Sequence, residues 1–425
     1  MLCQFSVKNF RCIKDEITLD LQATNISEHV QSLLSDVDGE KFLPLSVIYG
    51  PNASGKSTVL LALYSLANKI MRPIRITSHE SEKRPERNFK ALSIEPFKFS
   101  EETGNSPTEY ELFFRINGCE YQYKISLLKN KVVNEELSRK DLHETEYRTV
   151  FMRNGDKISL EILKDYPVPD ISDDLALLSY VGITYRKNAV VKDVINWFDK
   201  RIYFLNYGNP LSDAEAAIAD SDDEKSIVLK MFKEMDIDIS DYKVEQLEGE
   251  GEKNQVDVYT SHEIDGKEYN LELSDESSGT IKMFGVLPYI AESIRDGITL
   301  IIDELDAKLH PLLLNYIIGL FRDPKINKNK AQLIFTSHDL TTMNAETFRR
   351  DEIWFIAKGG NGAAKMYSLV EFKDEDGSKE RKDAKYSKRY LEGRYGADPY
   401  LQRIINWEDY NARQKTAKSQ KSEKN

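Results

Sequence analysis

Three short stretches hold side chains whose types and spacing could do chemistry. The first is GPNASGKST, residues 50–58. It fits the pattern G-x-x-x-x-G-K-[ST] and lies between an apolar run, PLSVIYG, and a helix-periodic run, STVLLALYSLANKIM. A strand feeding a Gly-rich loop that opens a helix is the context in which this pattern cradles phosphate. Glycine admits the backbone angles that turn successive N–H groups toward phosphate oxygens. The helix start adds partial positive charge. Gly50, Pro51, Asn52, Ala53, Ser54, Gly55, Lys56, Ser57 and Thr58 are therefore candidate nucleotide-binding residues. Lys56 is expected to reach the outer phosphates, and the Ser57 hydroxyl to ligate Mg²⁺.

The second stretch is ITLIIDELDAKLHP, in which an apolar run leads into Asp303 and Glu304. Two carboxylates at the end of a buried strand are costly unless they bind something. Asp303 suits the magnesium shell, and Glu304 suits the general base that orients an attacking water. The third stretch, LIFTSHD, is another strand ending in polar residues. It would place His338 at the mouth of the same parallel sheet, where ligands of open α/β folds bind. A fourth, DESSGTIKMFGVLPYI, starts a helix at Ser277, Ser278 and Gly279. Its residues alone allow a simple N-cap or an anion-binding helix start.

Other elements must position these groups. LCQFSVKNF and ITLDLQA alternate at period two and read as strands. SIEPFKFS, TEYELFFRI, EYQYKISLL, EYRTVFM and KISLEIL are also strand-like. The turn signals Asn117-Gly118 and Asn154-Gly155 among them suggest an antiparallel β layer inserted after the first helix. Helices are expected from about Leu175 to Met235, in VVKDVINWFDKRI and DEKSIVLKMFKEM. SDAEAAIADSDDE between them reads as a solvated acidic loop or an exposed helix end. ITLIIDE, AQLIFTS, DEIWFIA and KMYSLVEF close the chain as a second, parallel-type block. The tail NARQKTAKSQKSEKN lacks periodicity and is expected to fray. The expected divisions are 1–92, an N-terminal lobe with the phosphate loop; 93–165, the β layer; 166–270, a helical lobe with connecting strands; 271–372, the lobe with the carboxylate strand and His338; and 373–425, a C-terminal segment.

The bulk numbers narrow the classes. The chain has 425 residues, 40% hydrophobic and 31% charged, an ordinary balance for a globular protein. No apolar run approaches the ~18 residues of a membrane span. The N-terminus reads as a strand rather than a signal peptide, so no membrane association is expected. Three cysteines, Cys3, Cys12 and Cys119, form no CxxC pair, which points to the reducing cytoplasm and away from zinc. A net charge of −12 disfavours non-specific nucleic-acid binding, although a local basic groove made by an oligomer stays compatible with it.

The order Lys56, Ser277–Gly279, Asp303–Glu304, Asp306, His338 resembles the ABC-type ATPases, and within them the SMC-like branch. There a Walker A loop, signature helix, Walker B strand, D-loop and switch histidine follow one another. FSVKNFRCIKDEITLDL, with Asn9, Phe10 and Arg11, is similar to the first strand of that branch. ELDAKLHPLL and KRYLEGRYGADPYL resemble a narrower group, the RloA-like abortive-infection ATPases related to the OLD family. DESSGT departs from the family's L-S-G-G-Q: Ser278 replaces the first glycine and Thr280 the polar end. No glutamine after the first helix fills the Q-loop role.

The resemblance implies an α/β fold: an ABC-type P-loop ATPase head with a mixed sheet, an antiparallel β subdomain and an inserted helical lobe. It implies ATP and Mg²⁺ as ligands and a nucleotide-binding role for Arg11. It makes Ser277, Ser278 and Gly279 a signature acting in trans on ATP sandwiched between subunits, Asp306 the D-loop residue, and His338 the phosphate sensor. Self-association as a dimer or higher even-numbered oligomer follows. So does a part in anti-phage defence beside a separately encoded effector, a nuclease or toxin. The rival reading is a RecF- or SMC-like repair ATPase that clamps DNA.

Overall fold

The computed structural model describes residues 1–78, 93–205, 225–247, 255–373 and 384–397, together with 214, 217, 218, 380 and 381. Most of the acidic stretch at 212–224 and the tail after 397 lie outside the described residues.

Two large sheets organise the chain. The first has seven antiparallel strands in the order β10-β9-β8-β7-β6-β1-β2. Its members are β1 (Leu2–Lys8), β2 (Ile17–Asp20), β6 (Thr108–Ile116), β7 (Cys119–Leu128), β8 (Lys131–Asp141), β9 (Arg148–Asn154) and β10 (Lys157–Ser159). A small hairpin, β3 (Leu34–Ser35) with β4 (Lys41–Phe42), stands apart from it. The second large sheet has the order β11-β15-β16-β5-β17-β18. It comprises β5 (Leu45–Tyr49), β11 (Ile202–Leu205), β15 (Thr299–Ile302), β16 (Gln332–Thr336), β17 (Ile353–Lys358) and β18 (Ala364–Ser368). All its pairs are parallel except β17–β18. A three-stranded sheet, β12 (Asp241–Leu247), β13 (Gln255–Ile264) and β14 (Lys267–Glu272), leads into the helix that begins at Ser278.

Strand parity shows how the layers stack. Ile48, Ile301, Ile334, Trp354 and Ile356 face one core, shared with the seven-stranded sheet and with helix α1 (Lys56–Ser78), α2 (Leu177–Thr184) and α3 (Ala189–Lys200). Their neighbours Val47, Leu300, Ile302, Phe335 and Phe355 face the other core. That side carries α4 (Lys225–Glu234), α5 (Ser278–Asp296), α6 (Pro311–Arg322) and α7 (Tyr386–Leu391). A sheet buried on both faces reads as a continuous apolar run, as LSVIY and TLII do. The fold is thus mixed α/β, with an antiparallel and a mainly parallel sheet enclosing α1.

Three local differences from the sequence reading have physical causes. The antiparallel strands β6–β10 do not form a layer of their own, because β6 pairs with β1 and extends the sheet that β1 and β2 begin. SIEPFKFS is no ladder strand: its backbone answers the turn after β1 instead. Phe97 donates its N–H to Asn9 Oδ1 at 2.9 Å, and the Arg11 N–H reaches the Glu95 carbonyl at 2.8 Å. The helix expected to run through Lys200-Arg201-Ile202 stops at Lys200, and Ile202–Leu205 joins the parallel sheet beside β15.

Candidate functional site

The site is built at the carboxyl ends of three neighbouring parallel strands. Thr336 of β16 stands opposite Ile48 of β5, and Phe335 stands opposite Ile302 of β15. The 50–58 loop, Asp303–Glu304 and Ser337–His338 therefore leave the sheet side by side. Sequence spacing predicts each stretch separately, and the register brings them together.

The loop wraps tightly. Ala53 is left-handed at φ 62° and Gly55 sits at φ 116°, a value that L side chains rarely adopt. A Cβ at Gly55 would meet Cys12 Sγ at 2.8 Å, and one at Gly50 would meet the Ile356 carbonyl at 2.3 Å. Both glycines are thus demanded by close approach, Gly55 by its backbone angle as well. Lys56, the first residue of α1, is only 6% exposed. Its ammonium donates to the carbonyls of Gly50 at 2.8 Å and Pro51 at 3.2 Å. Burial lowers its pKa, opposed by the nearby charges of Asp303, Glu304 and Asp306. Asn52, Ala53 and Ser57 are exposed at the mouth, with Pro51 and Thr58 half-buried.

Thr336 ties the carboxylate turn to the sheet. Its hydroxyl donates to Asp303 Oδ1 at 2.5 Å and accepts the Glu304 N–H at 2.7 Å. Asp303 is half-buried, while Glu304 is exposed and left-handed at φ 50°. Asp306 Oδ2 accepts the His338 N–H at 3.0 Å and so fixes the backbone that carries the exposed imidazole.

Ser277 caps α5. Its hydroxyl accepts the Thr280 N–H at 3.1 Å and bonds the Thr280 hydroxyl at 2.8 Å. Ser277 and Ser278 are exposed. Gly279 lies against the turn of its own chain, where a Cβ would stand 3.1 Å from the Lys308 carbonyl. Arg11 is exposed and left-handed at φ 52°, one residue before the Cys12 that packs on Gly55. Its guanidinium stands 5.7 Å from the Phe10 ring. Asn9 has a structural task. Its amide donates to the carbonyls of Thr103 and Ser106, both at 2.9 Å.

These residues fit a magnesium nucleotide. The Ser54 hydroxyl is buried inside the loop with no partner, an orphan that a phosphate oxygen would satisfy. A buried lysine beside a cradle that a Cβ would fill calls for an anion. An exposed hydroxyl, Ser57, and one half-buried carboxylate, Asp303, suit Mg²⁺, which takes few protein oxygens and completes its shell with phosphate and water. The described residues hold no cluster of three or more His, Cys, Asp or Glu able to bind a metal, and this kind of site needs none.

Two side chains outside the motifs touch the Asp303–Glu304 turn. Thr336 had a signal, a hydroxyl residue closing an apolar strand before Ser-His. Lys282, whose ammonium donates to the Glu304 carbonyl at 2.7 Å, had one too: a lysine on the buried face of α5. Neither could be paired with Asp303–Glu304 without the fold.

Comparison with known proteins sets the site in a family. Residues 45–344 match a family model described as "AAA domain, putative AbiEii toxin, Type IV TA system". No curated protein matches the chain. Among solved structures, the SmcHead bound to the C-winged helix domain of ScpA aligns with 86% of this chain and 97% of its own, at 12% identity and TM-score 0.43. The recombination mediator protein RecF with ATP, of the RecFOR pathway, also aligns over 86% of this chain and 97% of its own, at 14% identity and TM-score 0.29.

Proposed function

The chain belongs to the AAA-domain family described as putative AbiEii toxin, Type IV TA system, and on that premise we propose that it is an ATP-binding and ATP-hydrolysing switch. One observation carries the reading. A buried lysine in a strand–loop–helix cradle lies in the field of Asp303, Glu304 and Asp306 at the carboxyl ends of neighbouring parallel strands.

Each group has a task. The amides of residues 50–58, at the start of α1, bind the phosphates, and Lys56 adds the compact positive charge they need. Ser57 and Asp303 hold Mg²⁺, which when bound supplies Lewis acidity at the phosphate oxygens. Glu304 accepts the proton of the attacking water. His338, held by Asp306 through its own N–H, senses the terminal phosphate. Arg11 supplies a further cation at the mouth.

The cycle works between copies. The Ser277–Gly279 start of α5 receives the terminal phosphate of ATP bound to a second subunit, so ATP joins two heads and hydrolysis releases them. In the cell this is the sensor or regulatory ATPase of a bacterial anti-phage system, acting in the cytoplasm with a separately encoded effector. The family description, which names a toxin–antitoxin system, supports that setting. No helix among the described residues is long and apolar enough to cross a membrane. A net charge of −12 weighs against a duplex-DNA clamp.

Phosphate release from purified protein tests the core of the proposal. Mg²⁺-dependent hydrolysis of ATP is expected, with no stimulation by DNA. Absence of hydrolysis across protein concentrations that allow association would overturn it, and salt-sensitive, ATP-dependent DNA binding would favour the clamp instead.

A further inference from the structure

Lys282 is 4% exposed, yet all three of its N–H groups are engaged by the turn that follows β15. Its ammonium donates to the carbonyls of Glu304 at 2.7 Å, Leu305 at 2.8 Å and Ala307 at 2.9 Å. That turn is strained at Glu304 and Lys308, both left-handed, at φ 50° and 64°. Non-glycine residues keep such angles only where their surroundings over-determine them. The two peptides flanking the Glu304 Cα are so determined, the N–H of one by the Thr336 hydroxyl and the C=O of the other by Lys282.

The second grip comes from another element. Lys282 belongs to α5, five residues beyond the capping Ser277. The same helix start packs Gly279 against the Lys308 carbonyl. The turn is thus hydrogen-bonded to α5 through Lys282 and lies close against it at Gly279, so a shift of the helix start would be felt in the backbone of Glu304.

We propose that Lys282 is a positioning residue. Through its three carbonyl contacts, α5 sets the left-handed backbone of Glu304 and hence the aim of its carboxylate. The inference rests on Glu304 being the general base. Its chemistry is that of a point charge with three donors on one nitrogen, on which three carbonyls converge, as lysine supplies and a planar guanidinium does not. Burial lowers the Lys282 pKa to about 8, opposed by Asp306 and Glu304 and reinforced by Lys308. An ammonium kept in so dry a place is a costly way to close a turn. A base that must be held to a fraction of an ångström gives that cost a use.

The test uses the full chain and reads kcat separately from ATP affinity. Lys282→Met should lower kcat by about tenfold or more, because a misaimed base loses proximity. Its ATP dissociation constant should stay within about threefold of wild type, because Lys56 and its loop lie on other elements. Lys282→Arg keeps the charge but spreads its donors over a fork, and serves if the methionine variant does not fold. It should lose about threefold or more in kcat at unchanged affinity. Wild-type kcat in a folded variant, or a parallel loss of affinity and kcat, overturns the assignment. Glu304→Gln, measured alongside, separates the two readings. If it hydrolyses ATP normally, the base assignment falls and takes the positioning role with it. If it is inactive while Lys282→Met is fully active, the positioning role alone falls.

Discussion

Lys56 is a buried cation that spends its hydrogen bonds on two loop carbonyls, Gly50 and Pro51, which a phosphate could take over. Removing it leaves the cradle without its compact charge. Lys56→Ala should therefore abolish ATP binding in a folded protein, and calorimetry showing wild-type affinity would sink the phosphate-loop assignment. Glu304 is exposed, so Glu304→Gln costs the fold little while removing the proposed proton acceptor. ATP should still bind, turnover should fall by roughly 10²–10⁴-fold, and an ATP-held assembly should accumulate on a sizing column. Normal turnover would assign the base elsewhere. Both groups are legible in the sequence because a loop motif and a strand-end carboxylate pair are local patterns. Thr336 and Lys282 are not. Thr336 meets Asp303 and Glu304 across strands, and Lys282 meets the Glu304 carbonyl from a helix; a hydroxyl or a lysine by itself predicts no partner.

Elements carry the next share of the design. The alternation of Ile48 and Val47, Ile334 and Phe335, or Ile301 and Ile302 between two cores shows that the parallel sheet is covered on both faces, which its unbroken apolar runs anticipate. Less legible is which strands share a sheet. β1 finds its partner β6 about a hundred residues later, and the period-two pattern of each says nothing about that pairing. β11 was hidden because Ile202–Leu205 follows an amphipathic helix directly and continues its apolar face. Buried polar groups fix such junctions. Glu135 of β8 is 1% exposed and accepts the N–H groups of Leu177 at 2.7 Å and Leu178 at 2.8 Å, with the Tyr123 hydroxyl at 2.9 Å. It thereby anchors the start of α2 to the antiparallel sheet, at a site where burial raises its own pKa. Glu135→Ala strands three buried donors and should cost on the order of 3 kcal/mol, read as a lower denaturant midpoint. Glu135→Gln, which keeps one acceptor oxygen, should cost less. Equal stability of all three proteins would show that water replaces the carboxylate there.

At the scale of the whole molecule, the question is whether one copy is enough. The cap at Ser277 and the loop at 50–58 belong to different elements, and α5 packs its glycine onto its own chain's turn at Lys308, so a substitution at Gly279 would disturb the fold as well as any ligand. Ser278 is the better probe, being exposed in the first turn of α5. An aspartate there suits a helix N-terminus and should leave the fold intact, yet it places a negative charge where a second copy's phosphate would arrive. Ser278→Asp should therefore bind ATP through its own Lys56 and hydrolyse almost none. Mixed with Lys56→Ala, it forms pairs in which one site keeps both an intact loop and an intact helix start, and such mixtures should regain part of the wild-type rate. Crosslinking makes the geometry explicit. Asn52 and Ser278 are both exposed, and the three native cysteines are buried, so cysteines placed at these two positions report on each other alone. In a Glu304→Gln background with ATP, the Asn52→Cys, Ser278→Cys chain should run as a disulfide-linked dimer, and without ATP as a monomer. A mixture that stays inactive after demonstrated subunit exchange, together with no ATP-dependent interchain crosslink, would reduce Ser277–Gly279 to a helix cap and leave hydrolysis to a single head.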